Sequence, residues 1–126
     1  MILGIGTDVI EVRRVGDVAQ RHGERFLRRI FTDSEIAYCS ARKNAALHFA
    51  GRFAAKEAAF KAIGRGWGGD IGWKDVEVTN LPSGAPQISF YGKALEAVTG
   101  MKMSRAFVSI SHVEEMATAI VVLEGD

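Results

Sequence analysis

The sequence predicts an α+β fold, with helices packed on an antiparallel sheet. Three observations predict it. Branched apolar runs open and close the chain. An alanine-rich run of helical period fills its middle. The later strands form two pairs, each joined by a short turn.

Residues 2–12 read as a first strand rich in branched residues. A helical stretch follows from Arg13, with Val15, Val18, Ala19 and Phe26 at helical spacing and Gly23 as a break or turn between two short helices. Thr32-Asp33-Ser34-Glu35 is a capping box that starts a helix through Ile36, Ala37 and Tyr38. A longer helix is expected from Asn44 to Ile63, with Gly64 as its stop and a flexible glycine-rich loop over Gly64 to Gly69. Residues 73–79 alternate as a strand. Pro82-Ser83-Gly84 is a turn, and Gln87 to Tyr91 is the return strand. A short helix over 92–100 and two strands, 106–111 and 117–123, complete the chain.

The 126 residues are one domain's worth, so residues 1–126 are expected to form a single domain. At 48% hydrophobic and 25% charged, the composition supplies a core without metal or disulfide staples. The single cysteine, Cys39, cannot close an internal disulfide, which fits a reducing compartment. No apolar stretch reaches the roughly 20 residues that a bilayer requires. The N-terminus shows no basic region before its apolar residues and no secretory pattern. A cytoplasmic protein with no membrane association is the expectation.

The formal net charge of +1 hides an uneven distribution. Residues 13–30 hold six arginines against Asp17 and Glu24. Residues 40–66 hold six basic side chains against Glu57, and the remainder is acidic. Such asymmetry suggests a basic face for an anionic partner. Were residues 13–28 one helix, Arg14, Arg21, Arg25 and Arg28 would share a stripe apart from the apolar face. That stripe is either a solvated face or a docking site for an acidic surface.

The long helix holds the most informative residues. Phe49, Phe53, Phe60 and Ile63 share one face and read as core. Glu57 and Lys61, four apart, lie together at its edge, either as a surface ion pair or as chemistry. Lys56 falls on the phenylalanine stripe itself. It must snorkel out or meet an anion, such as a bound phosphate or a carboxylate from the first strand. Asp8 stands in an otherwise apolar strand, where it could cap a turn, pair with an arginine or share a Mg²⁺ site with Glu57.

Other motifs fall away. Gly4-Ile5-Gly6 lacks the third glycine and following helix of a dinucleotide fingerprint, and the glycine loop lacks the lysine-serine or lysine-threonine of a P-loop. His22, His48 and His112 are scattered along the sequence, with no histidine-cysteine cluster for zinc.

Four segments carry a resemblance. They are Gly4-Ile5-Gly6-Thr7-Asp8-Val9-Ile10-Glu11, Phe31-Thr32-Asp33-Ser34-Glu35, Gly51 through Ala62, and Val108-Ser109-Ile110-Ser111-His112. In order and spacing the chain resembles the holo-acyl-carrier-protein synthase family of 4′-phosphopantetheinyl transferases. The resemblance implies the fold of that family and transfer of phosphopantetheine from coenzyme A to a serine of apo acyl carrier protein, in support of fatty acid biosynthesis. It matches Asp8 and Glu57 to Mg²⁺-holding carboxylates, and Lys61 to a lysine near the reacting phosphate. Asp8, Glu57 and Lys61 are thus the catalytic candidates. Lys56, Lys61, Arg52 and His112 are the candidates for coenzyme A, and Arg14, Arg21 and Arg25 for the carrier protein. A homotrimer with coenzyme A in clefts between subunits is also implied.

The serine would attack the phosphorus attached to pantetheine, and 3′,5′-ADP would leave. Positioning and electrostatics would do most of the work. Glu57 or another base would direct removal of the serine proton. A nucleic-acid-binding module is the rival from the basic middle, opposed by the net charge of +1 and the lack of a recognised binding motif. A trimeric scaffold without catalysis and a Mg²⁺ phosphohydrolase are the others.

Overall fold

The computed structural model describes residues 1–64 and 70–126. The chain runs from β1 (Ile2–Glu11) into α1 (Val12–His22), α2 (Glu24–Ile30), α3 (Asp33–Ser40) and α4 (Ala45–Ile63). A hairpin of β2 (Val76–Asn80) and β3 (Pro86–Phe90) follows, then α5 (Gly92–Gly100), β4 (Met103–His112) and β5 (Met116–Gly125). The strands form two antiparallel sheets: three strands in the order β1-β5-β4, and the hairpin β2-β3. No described helix is long and apolar enough to cross a membrane.

Local signals set most element ends. Thr32 and Glu35 close both arms of the capping box at the start of α3. The Asn44 side chain accepts from Leu47 N–H at 3.4 Å and opens α4. Gly64, left-handed at φ 86°, ends it. The rest of the expected glycine loop, Arg65 to Gly69, lies outside the described residues.

Gly23 separates two short helices as expected, and one strand boundary needs correction. Gly23 takes φ 58° and divides α1 from α2, so Arg25 and Arg28 leave the stripe that a continuous helix would have made with Arg14 and Arg21. Residues Trp73–Asp75 form one 3₁₀ turn ahead of β2 instead of its first residues. There the Asp75 carboxylate takes the Gly72 N–H at 2.9 Å, a local bond that competes with strand pairing. Finally, the phenylalanine face of α4 is core as expected, with Phe49, Phe60 and Ile63 buried, and its alanines bury further sides of the helix. Phe49 packs with Phe31, Ile30 and Cys39, while Ala58, Ala59 and Ala62 join Val121 and Leu123 in a second cluster.

The position of α4 is set by small residues. A Cβ on Gly4 would sit 2.0 Å from Ala62 O, and one on Gly6 1.9 Å from Ala58 O. The strand and helix backbones therefore approach as closely as glycine on one and alanine on the other permit. Because side chains alternate along a strand, Asp8 shares the α4-facing side of β1 with Gly4 and Gly6. Ile5 and Val9 point away and are exposed, as are Phe107 of β4 and Ile120 of β5.

Candidate active site

Glycine contacts bring the first strand's aspartate to the last two turns of α4. Lys61 Nζ donates to Asp8 Oδ1 at 3.1 Å and to Thr7 O at 3.0 Å. Glu57, one turn back on α4, is half-buried. Burial pushes its carboxyl above the usual glutamate range, the Asp8 carboxylate adds to the rise, and Lys61 opposes it. Asp8, Glu57 and Lys61 thus meet in space although the first two are far apart in sequence. A cavity of about 360 Å³ opens on Asp8 and Glu57, walled by Arg14, Val15, Val18, Phe26 and Phe53. A second hollow, lined by Phe26, Arg29, Ile30, Phe53 and Trp73, also reaches Glu57. Arg21 lies further along α1 in a shallow depression with Asp17 and Gln20, and Arg25 is exposed on α2.

Lys56 neither snorkels nor meets the first strand. It is fully buried, and its ammonium pairs with the equally buried Glu35 at 2.9 Å. It also donates to Trp73 O at 3.0 Å and to Val76 O. Those three acceptors match its three protons, which leaves no donor for a bound ligand. Burial lowers its proton affinity and Glu35 restores part of it. The other Glu35 oxygen accepts from Val78 N–H at 2.8 Å, so the capping glutamate of α3 ties together α3, α4 and β2. Trp73, held through its carbonyl, stacks on Phe53 at 5.1 Å and meets Phe60 edge-on at 5.2 Å. Lys56 therefore shapes the wall beside Glu57 from within the core.

Arg52 and His112 meet elsewhere. They line a cavity of about 160 Å³ with Tyr38, His48, Asn80 and Gly84. Arg52 is 4% exposed, gives one N–H to Asn80 Oδ1 at 2.5 Å, and keeps a buried Nε with no acceptor among the described residues. Its guanidinium lies 4.0 Å from the centre of the Tyr38 ring, and that of Arg42 lies 3.3 Å from it. The histidines that look scattered in sequence are not all apart, since the His48 and His112 rings stand 5.9 Å from each other.

These two centres lie toward opposite sides of α4. Arg52 and Lys61 are nine positions apart on α4, a rotation of about 180°. Asp8 and the His112 end of β4 lie on the two outer strands of the sheet, with β5 between them, roughly 10 Å apart at strand spacing. Sequence reading missed Glu35, Trp73 and Tyr38. Only Glu35 carried a signal, its place in the capping box, and that signal described one of its bonds.

The chain is thus a small α+β protein with a carboxylate–lysine centre beside one pocket and an arginine–histidine cluster in another. A family model of the 4′-phosphopantetheinyl transferase superfamily matches residues 4–119. The holo-[acyl-carrier-protein] synthase of Koribacter versatilis is 51% identical over 98% of this chain and 99% of its own. The crystal structure of the Neisseria meningitidis holo-[acyl-carrier-protein] synthase superposes with a TM-score of 0.88 at 34% identity, covering 98% of this chain and 99% of the other. That of the Helicobacter pylori enzyme, in complex with coenzyme A, gives 0.84 at 32% identity over 95% and 99%. The chain belongs to the 4′-phosphopantetheinyl transferase superfamily, in its holo-[acyl-carrier-protein] synthase family.

Proposed function

We propose that this chain, as a single domain of residues 1–126, transfers 4′-phosphopantetheine from coenzyme A to a serine of apo acyl carrier protein, releases 3′,5′-ADP, and serves fatty acid biosynthesis in the cytoplasm. The observation that carries the reading is the convergence of Asp8, Glu57 and Lys61, with the two carboxylates lining one cavity. The names of the relatives support the acceptor, and the coenzyme A complex of the Helicobacter pylori enzyme supports the donor.

The residues fit Mg²⁺. Burial first, and the Asp8 carboxylate second, raise the Glu57 carboxyl, and a cation between the two hard-oxygen carboxylates would offset both. No group of three histidine, cysteine, aspartate or glutamate side chains forms a metal cluster among the described residues. Mg²⁺ suits such a site, because it commonly takes one or two carboxylates and fills its shell with substrate phosphate and water. Bound by Asp8 and Glu57, it would neutralise charge on the coenzyme A pyrophosphate. Lys61, half exposed beside both carboxylates, would stabilise charge on the phosphate under attack. Glu57 or another base would take the serine proton as the serine oxygen bonds to phosphorus and the bond to 3′,5′-ADP breaks. Arg14 with Val15, Val18 and Phe26 offers a basic rim on an apolar shelf beside that centre, suited to the helix of an acidic carrier; Arg21 and Arg25 extend the basic surface.

Arg52 and His112 suit a phosphate of coenzyme A, and Lys56 supports the site indirectly through Trp73. Because Arg52 and Lys61 face opposite sides of α4, one coenzyme A molecule reaching both calls for two copies of the chain. The exposed apolar sheet face of Ile5, Val9, Phe107 and Ile120 would bury itself in such an assembly, a homotrimer. No role with nucleic acid is proposed.

The test is mass spectrometry of an apo carrier protein incubated with this protein, coenzyme A and Mg²⁺, beside an EDTA control. A Mg²⁺-dependent gain of one phosphopantetheine is expected. An unmodified carrier, with both proteins folded, would overturn the reading.

A further inference from the structure

The Arg52 pocket contains an imidazole that the transfer chemistry does not use. His48 sits one turn before Arg52 on α4, and its ring lies between two others: Tyr38 of α3 at 6.1 Å and His112 of β4 at 5.9 Å, both edge-on. The charged groups facing it are all basic. Arg42, after α3, reaches the Tyr38 ring, and Arg52 approaches that ring from α4. The lining from β2 and the hairpin turn is neutral, namely Asn80, Gly84 and Pro86. No carboxylate stands among the described lining residues. The cavity therefore gathers the Arg52 guanidinium and two imidazoles, with the Arg42 guanidinium close by on the Tyr38 ring, and the Arg52 Nε is buried without an acceptor among the described residues.

In such a field a neutral imidazole is favoured. Burial, then His112, Arg42 and Arg52, hold His48 below the usual histidine range. A phosphate dianion entering the cavity reverses the sign of the field at both rings, and each then gains from a proton.

We propose that His48 and His112 form an imidazole pair that takes up a proton as a phosphate group of coenzyme A enters this pocket, so that coenzyme A affinity weakens as pH rises. The inference rests on the reading of this pocket as part of the coenzyme A cleft. His48 is a positioning and tuning residue here, distant from the reacting phosphorus.

Calorimetric titration of the intact protein with coenzyme A, without carrier, tests it. At pH 7.5 the ligand's own phosphate is mostly dianionic and contributes little proton exchange. Binding heats in buffers of contrasting ionisation enthalpy give the number of protons taken up. Wild-type protein is expected to take up a substantial fraction of a proton and to lose affinity at least about threefold between pH 6.5 and 8.0, since full uptake of one proton gives about tenfold per pH unit. His48→Gln is expected to take up less than half as much and to show a flatter pH profile. Coenzyme A binding with no proton uptake by the wild-type protein overturns the inference and leaves the transfer reading standing, and this arm needs no variant to fold. Equal uptake by wild type and folded His48→Gln also overturns it. If coenzyme A fails to bind at any pH, the reading of the pocket falls, and this inference with it.

Discussion

Glu57 is ionised against two costs, its own burial and the nearby Asp8 carboxylate. Its folded-state proton affinity is raised, so the ionised form penalises the fold above that raised value. The penalty is relieved as pH falls through it toward the ordinary glutamate range. Glu57→Gln should therefore melt, without metal at pH 7.5, no lower than the wild type, while its Mg²⁺-dependent transfer falls by about 100-fold or more. Differential scanning fluorimetry beside a transfer assay separates the two effects; a lower melting point would contradict that sign. Asp8→Ala should lose transfer on a similar scale and keep its circular dichroism spectrum. Normal turnover by that folded variant would remove the metal assignment. Because a proton competes with Mg²⁺ for the Glu57 carboxylate, the Mg²⁺ concentration for half-maximal transfer should rise as pH falls toward the raised Glu57 range; a Mg²⁺ requirement independent of pH on the acid side would contradict it.

Helix α4 owes its placement to contacts that act between elements. Glu35 and Lys56 are both fully buried, so removing one partner leaves an uncompensated charge or polar group in the core. Lys56→Met or Glu35→Leu alone should cost about 3–5 kcal/mol in urea unfolding, and the double variant should recover much of that loss. A double variant no better than the worse single one would mean that the bonds to Trp73 O, Val76 O and Val78 N carry the effect instead. Gly6→Ala should be destabilising by about 1–3 kcal/mol or more, since the new methyl meets the Ala58 backbone oxygen, which cannot rotate away. The same division explains what is legible in the sequence. Thr32, Glu35, Asn44, Gly23 and Gly64 act within a few residues of themselves, so the sequence by itself marks the helix ends they make. Lys56 stands out because its position on the phenylalanine stripe conflicts with its charge. Its partner has no signal of that kind, because Glu35 lies in another helix and periodicity says nothing across helices. His48 and His112 likewise become neighbours only when α4 is laid on β4. The resemblance groups Asp8, Glu57 and Lys61 into one centre; the physical cause of their meeting, the glycines of β1 against the alanines of α4, exists only in three dimensions.

For the whole molecule, the outer face of the three-stranded sheet is the feature left unsatisfied. Ile5 lies in register with Val122 and, across β5, with Phe107; Thr7 likewise with Ile120. Ile120→Glu should disrupt a trimer, read as a shift to the monomer mass by light scattering, and weaken coenzyme A binding at least about tenfold with it. A monomeric variant with unchanged coenzyme A affinity would mean that one copy holds the whole ligand. The opposed directions of Arg52 and Lys61 on α4 have a further consequence, genetic in kind. In a trimer whose clefts take carboxylates from one copy and the arginine from the next, each cleft is a joint product of two gene copies. Asp8→Ala and Arg52→Met chains, each inactive alone, would complement one another when assembled together: random mixing at equal amounts would leave about one cleft in four with both halves intact. Two silent alleles in one cell would thus restore growth that neither supports by itself.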